Sequence, residues 1–307
     1  MDEFSSHPLY RKHNIDSVMS TLWAFYTSRF VVLFIASFIM SLGLQFLTLT
    51  FDFKGFMTIT DPLEMVEKLK GMIWPMVAIS LIGLLCTTIL HYYVIYSPID
   101  SQVTIFSSIY KSLKYFIPYL IITILLGFIG SFAMLLGLLV IIIGIFFAIL
   151  YMVTLYLFVL PVLMVEGTDI GHAIGRTFTL AHRGFWSNIG WVAAFLVILM
   201  IASMILSTLI LLPFSGSFLK ILTNPEEASS ILNFMTNPIY LILTALVRAL
   251  YFPMLPILGT ILYLNGRAKE QAPVAASENE TTGTIRAEDL YAKPYSDDNP
   301  EKPEDNS

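Results

Sequence analysis

Apolar runs long enough to cross a bilayer alternate with short polar segments along most of the chain. A hydrocarbon core of about 30 Å takes roughly 20 residues of helix. Six stretches meet that length: Phe30–Thr50, Met72–Tyr96, Pro118–Leu136, Ile141–Met164, Ser187–Leu212 and Pro238–Leu264. The third and fourth are cut from 51 uncharged residues between Lys114 and Glu166, too many for one span and right for two joined by a turn near Gly137. A lipid-facing segment must satisfy its backbone hydrogen bonds internally, so each span is predicted to be a helix. The expected fold class is an all-α membrane protein with six transmembrane helices in three hairpins.

The polar segments that precede the first, third and fifth spans share a pattern. Asn14, Asp100 and Asp169 each stand 16 residues before a phenylalanine, namely Phe30, Phe116 and Phe185. A short side-chain oxygen at such a position is suited to cap a helix N-terminus. Between cap and phenylalanine, Met19 and Trp23 correspond to Ile105 and Ile109 and to Ile174 and Phe178, at spacings that keep them on one helical face. Each hairpin is therefore expected to follow an amphipathic interfacial helix lying apolar face down. The resulting organisation is a polar N-terminal segment over 1–13, a six-span membrane domain over 14–270 and an acidic tail over 271–307.

Composition fits a membrane chain. Of 307 residues 56% are hydrophobic and 13% charged, against about 25% charged in soluble domains. The net charge of −5 arises in the last stretch: ten acids and five bases follow Leu264, so the remainder is neutral. This excludes a basic nucleic-acid binder. The tail from Gln271 is too polar to bury a core and is expected to be disordered. With both ends inside, nine Lys/Arg fall on the cytoplasmic side and four outside, which orients both termini to the cytoplasm of a bacterial inner membrane. Twenty-nine mostly polar residues precede the first span, so a cleaved signal peptide is not expected. Trp23, Trp74, Trp186 and Trp191 fall near span ends, where indole rings favour the interface.

Few residues offer chemistry. Arg248 lies ten residues into the last apolar segment, about 15 Å along a helix. Two readings stand: an intramembrane charge that binds a lipid phosphate or carboxylate beside a kink at Pro253 and Pro256, or a side chain that snorkels to the outer surface. Arg176 and Arg183 are candidates for anionic headgroups. Asp169, His172 and Arg176 share a helical face, with no metal-binding pattern around them. Gly130, Gly137 and Gly144 recur every seven residues and read as packing or turn residues. His91, beside Tyr92 and Tyr93, reads as interfacial. Cys86 is the sole cysteine.

The stretch Leu160-Pro161-Val162-Leu163-Met164-Val165-Glu166-Gly167, followed by Ala173-Ile174-Gly175-Arg176-Thr177-Phe178 and Phe185-Trp186, resembles a bacterial membrane family. That family includes the membrane domain of glycerophosphoryl diester phosphodiesterases and six-span relatives. Tyr263-Leu264-Asn265 with Arg267 and Glu270 is similar to its closing motif. Thr177 stands where many members have serine. The resemblance implies a six-helix membrane domain in a lipid-related setting. It does not carry the phosphodiesterase activity over, because no segment matches the catalytic domain.

No nucleotide loop, catalytic triad, metal site or cofactor motif is read from the chain. The leading expectation is a non-enzymatic, lipid-interacting or envelope-organising membrane protein whose partners are membrane lipids, with no nucleic acid and no protein partner identified. Transport past Arg248 and the Pro253/Pro256 kink is one alternative. A membrane adaptor for an envelope enzyme, docking through the acidic tail, is another.

Overall fold

A computed structural model describes residues 3–51, 61–139, 141–212 and 236–270. The outer-loop residues Lys54, Lys220 and Pro225-Glu226-Glu227 and the tail from Gln271 lie outside the described residues, as do the expectations placed on them. The described part is helical, without strands. Its helices are α1 (Ile15–Ser28), α2 (Phe30–Leu47), α3 (Pro62–Tyr96), α4 (Ile105–Leu139), α5 (Ile141–Glu166), α6 (Ile170–Arg183), α7 (Phe185–Leu211), α8 (Pro238–Tyr251) and α9 (Met254–Glu270).

Six helical segments, with α8 and α9 counted as one, are long and apolar enough to cross a membrane. The protein is an integral membrane protein by that measure, and its surface agrees. Along α7, Val197, Ile198, Met200, Ile201, Met204, Ile205 and Leu209 are all more than half exposed, a continuous apolar face suited to hydrocarbon. Two boundaries differ from the sequence reading. The second span begins at Pro62 rather than Met72, because Asp61 accepts from Leu63 N and caps a helix that continues through Pro75. The third begins at Ile105 rather than Pro118. Each has 35 residues, about 52 Å of helix, so both project beyond the bilayer core.

The cap positions explain the second difference. Asp100 does not cap α4. Its carboxylate accepts from Gln102 N in a local turn, and the cap is Thr104, which exchanges hydrogen bonds with Ser107. Asn14 and Asp169 do occupy N-cap positions. Asp169 accepts from His172 N at 2.6 Å, and Asn14 N donates to Ser17 Oγ at 2.9 Å. Counted from Asn14, Thr104 and Asp169, the buried residues keep one register. Val18, Ser108 and Ala173 lie four residues on, Leu22, Ser112 and Thr177 eight, and Phe25, Tyr115 and Leu180 eleven. The face turned inward is therefore one residue away from the stripe read in the sequence, and Trp23 is 58% exposed. Arg29 and Gly184 break the chain before α2 and α7, whereas α4 continues unbroken through Pro118.

Consecutive spans pair closely in two cases, α3 with α4 and α4 with α5. α4 and α5 pack along much of their length, while α2 packs more extensively along α8 than along α3. The α4–α5 crossing depends on missing side chains: a Cβ on Gly144 would lie 2.3 Å from the Gly137 carbonyl oxygen. Gly130 faces Met152, whose flexible end lies 3.0 Å from a notional Cβ. α9 is buried without interruption from Pro256 to Gly266, as expected of a helix enclosed by others. The segment before α1 is not a polar extension. Phe4 and Leu9 are buried with His7 and His13; Phe4 packs on Tyr96 of α3 and His7 stacks on Phe25 of α1.

Candidate functional site

Glu166 ends α5, and Gly167 adopts φ 120° just after it, a backbone conformation suited to glycine at a helix C-terminus. This turn lets α6 start at Ile170, and two turns later Arg176 reaches back. Its Nε donates to Glu166 Oε2 at 2.7 Å and its second nitrogen to Oε1 at 3.1 Å. Tyr263 of α9 donates to Oε1 at 3.0 Å, and Arg267 donates to the Tyr263 hydroxyl at 3.4 Å. The carboxylate thus joins α5, α6 and α9 with paired, charge-assisted bonds. Just before it, the Met164 carbonyl accepts from the Tyr96 and Tyr115 hydroxyls. Four residues singled out in the sequence meet here. Arg176 is paired with Glu166, and part of its side chain remains exposed. Arg183 ends α6 and is exposed.

A second polar junction lies where the N-terminal segment meets α9. His13 N donates to Asn265 Oδ1 at 2.9 Å, both residues being buried. His7 accepts from Leu9 N through Nδ1, leaving Nε2 to donate to the Val94 carbonyl at 3.3 Å. That arrangement suits the neutral imidazole. Burial, reinforced by the charge of Arg29, holds His7 down at about 4, against 6.5 ordinarily. His13 is lowered as well, first by burial and then by Arg11. Tyr26 on α1 is pushed up to about 12 by burial. The two histidines carried no recognisable spacing in the sequence. The available signal was Phe4 and Leu9, apolar residues within a short polar segment.

Arg248 lies near the end of α8, its guanidinium 5.8 Å from the Phe252 ring centroid. Among the described residues no carboxylate pairs with it. The chain breaks at Phe252–Pro253, one turn further on. His91 is buried, at 3% exposed; Nδ1 lies 3.0 Å from the Thr87 carbonyl, and Nε2 has no hydrogen-bond partner among the described residues. Trp191 is likewise buried, with Lys269 over its ring at 5.4 Å.

A sizeable cavity lies elsewhere. A groove of about 590 Å³ runs between α1 and the spans α7 and α8, lined by Met19, Trp23, Phe30, Leu199, Ala202 and Tyr251 among others. It exposes no polar surface. Its volume falls within the range of ordinary small-molecule sites, but it has none of the convergent polar groups that such sites use to orient a ligand. No family model, curated protein or solved structure matches the chain, and none of these comparisons links it to the phosphodiesterase membrane domains.

Proposed function

We propose that this chain is a non-enzymatic protein of a bacterial inner membrane, with both termini cytoplasmic, that binds membrane lipid and helps organise its surroundings. The observation that carries this reading is the wholly apolar groove between α1 and the spans α7 and α8. Apolar surface of that extent is filled by hydrocarbon in a bilayer, so the occupant is a lipid acyl chain. α1 forms one wall as an amphipathic surface helix, with Val18, Leu22, Phe25 and Tyr26 turned inward and Trp23 at the groove. The distribution of basic residues supports the orientation. The meeting of Glu166, Arg176, Tyr263 and Arg267 supports the proposed kinship with six-span membrane domains, because residues far apart in sequence are those of the resembling motifs.

The test is lipid retention. Ala202 lines the groove, and Ala202→Trp fills part of it without removing a polar contact. Native mass spectrometry of the protein released from gentle detergent is expected to show bound lipid on the parent and loss of one adduct in the variant. Equal retention by both would overturn the reading. Transport is the second reading, and the observation favouring it is the helix break at Phe252–Pro253 beside Arg248, since interrupted helices border many substrate paths.

A further inference from the structure

Arg11 precedes α1 and Arg29 follows it, yet both border one cavity of about 280 Å³. Leu9, Thr21, Phe25 and Ser28 line it with them. Thr21, Phe25 and Ser28 stand at offsets of four and seven and so share one face of α1. The segment before α1 turns back along that face, which brings Arg11 to the same cavity as a residue 18 positions later. Leu9, Thr21 and Phe25 are buried, while Arg11 and Ser28 are exposed, so the cavity has a largely apolar floor and an open mouth.

Both guanidiniums are anchored to residues of the cavity wall or its rim. Arg11 donates to the Thr21 hydroxyl, which itself donates to the Ser17 carbonyl at 2.6 Å. Arg29 lies 5.3 Å from the Phe25 ring centroid and donates to Ser97 Oγ, just beyond α3, at 2.9 Å. A guanidinium carries five N–H donors, so each retains most of them for a further acceptor. Among the described residues no carboxylate pairs with either. Their charge is felt nearby: in addition to burial, Arg29 lowers His7 and Arg11 lowers His13. Like charges at one small cavity repel each other, and an anion between them turns that repulsion into attraction.

We infer that the cavity between Arg11 and Arg29 binds a doubly charged phosphate group, either the headgroup of a phosphomonoester lipid or hydrogen phosphate itself. The two anchoring residues, Thr21 and Phe25, are about 6 Å apart along α1. One phosphate held from two sides by bonds of about 2.8 Å spans a gap of that order, and a guanidinium fork suits its oxygens. Two positive charges balance two negative ones. The volume lies just under the range of about 300–1,000 Å³ for whole small-molecule ligands, so the cavity admits a phosphate and leaves any acyl chains outside. Its level also suits a headgroup. Arg29 immediately precedes the first span and Ser97 immediately follows the second, so both mark the same face of the membrane. The inference does not rest on the acyl-chain groove, which uses Leu22, Trp23 and Tyr26 on the opposite side of α1 and shares no residue with this cavity.

The experiment titrates the full chain in detergent with short-chain phosphatidic acid, short-chain phosphatidylglycerol or inorganic phosphate and follows the apparent melting temperature. It is done at about pH 7.5, where a phosphomonoester is largely dianionic. Phosphatidic acid is expected to act at lower concentration than phosphatidylglycerol, whose phosphodiester carries a single charge. A response to phosphatidic acid without one to inorganic phosphate assigns the group to a lipid headgroup, and a response to both at similar concentration assigns it to a free ion. Arg11→Gln and Arg29→Gln should each weaken binding roughly tenfold or more, about the worth of one hydrogen bond to a charged group. Lys111→Gln removes an exposed charge of α4 outside the cavity and should change nothing, as should Ala202→Trp in the acyl-chain groove. The parent chain supplies a readout without any substitution: saturating ligand should slow hydrogen exchange over residues 3–13, because Leu9 and Arg11 form part of the wall. The inference is overturned by no response to any of the three compounds, by equal potency of the two lipids, by unchanged affinity in both arginine variants, or by exchange over 3–13 that the ligand does not slow.

Discussion

Gly259 of α9 lies against the carbonyl of Leu157 in α5, so closely that a Cβ at position 259 would be 2.6 Å from that oxygen. The carbonyl is available because Pro161, four residues later, has no N–H to donate to it. A glycine on the central helix thus meets the point where a proline leaves a neighbouring helix unbonded, and His91 Nε2 would lie 3.3 Å from the same Cβ. Gly259→Ala should lower stability by about 1–3 kcal/mol through forced separation of α5 and α9. Gly190→Ala, where a Cβ meets nothing within 4 Å, is the matched control. Apparent melting temperatures of the two variants in detergent check this, and equal values would contradict the close contact.

The α4–α5 crossing gives a second backbone-contact prediction. Gly144→Ala places a methyl group 2.3 Å from the Gly137 oxygen, and backbone cannot yield as a side chain would. Gly130→Ala meets only the end of Met152, 3.0 Å away, and should cost well under half as much. Spin labels on α4 and α5 should report a wider helix separation for Gly144→Ala than for Gly130→Ala.

Glu166 accepts from three donors on two other helices. Glu166→Ala leaves Arg176 and Tyr263 without their acceptor, a loss of about 3 kcal/mol for a partly buried pair. Tyr263→Phe removes one donor and should cost about 1 kcal/mol. A double-mutant cycle between positions 166 and 176 should show the two losses to be strongly non-additive. Additive losses would mean that the pair contributes little.

Protonation of His7 should release the N-terminal segment. Its folded value of about 4 lies below the ordinary 6.5, so the neutral form is the one that the fold favours. The associated stability is present above about pH 6.5 and is lost as pH falls toward 4, on the order of 3 kcal/mol in all. His13 shifts in the same direction and adds to the effect. Hydrogen exchange of residues 3–13 should accelerate between pH 7 and pH 4, while exchange in α9 remains slow. Replacing His7 by Gln should flatten much of that dependence.

Topology follows from an even number of crossings. Reporters fused at the two ends should respond from the same side of the membrane, and a cysteine placed at position 69, on the exposed start of α3, should be labelled from the other side. Reporters on opposite sides would remove one span.

The amino-acid order alone determined that the chain crosses a membrane and where most crossings lie. Helices in hydrocarbon need only length and apolarity, and both are local properties. It also placed helix caps at Asn14 and Asp169, because capping depends on a few neighbouring residues. It placed the middle cap at Asp100 when Thr104 holds it, since both residue types cap equally well and only the packing of Ser108, Ser112 and Tyr115 selects the register. The partnership of α2 with α8, the burial of the N-terminal segment and the central place of α9 had no local signature. In a chain that is apolar nearly everywhere, hydrophobicity does not separate residues that face lipid from residues that face protein. That division is made by shape: glycines that admit a neighbouring backbone, a proline that frees a carbonyl, and a carboxylate whose donors come from helices distant in sequence.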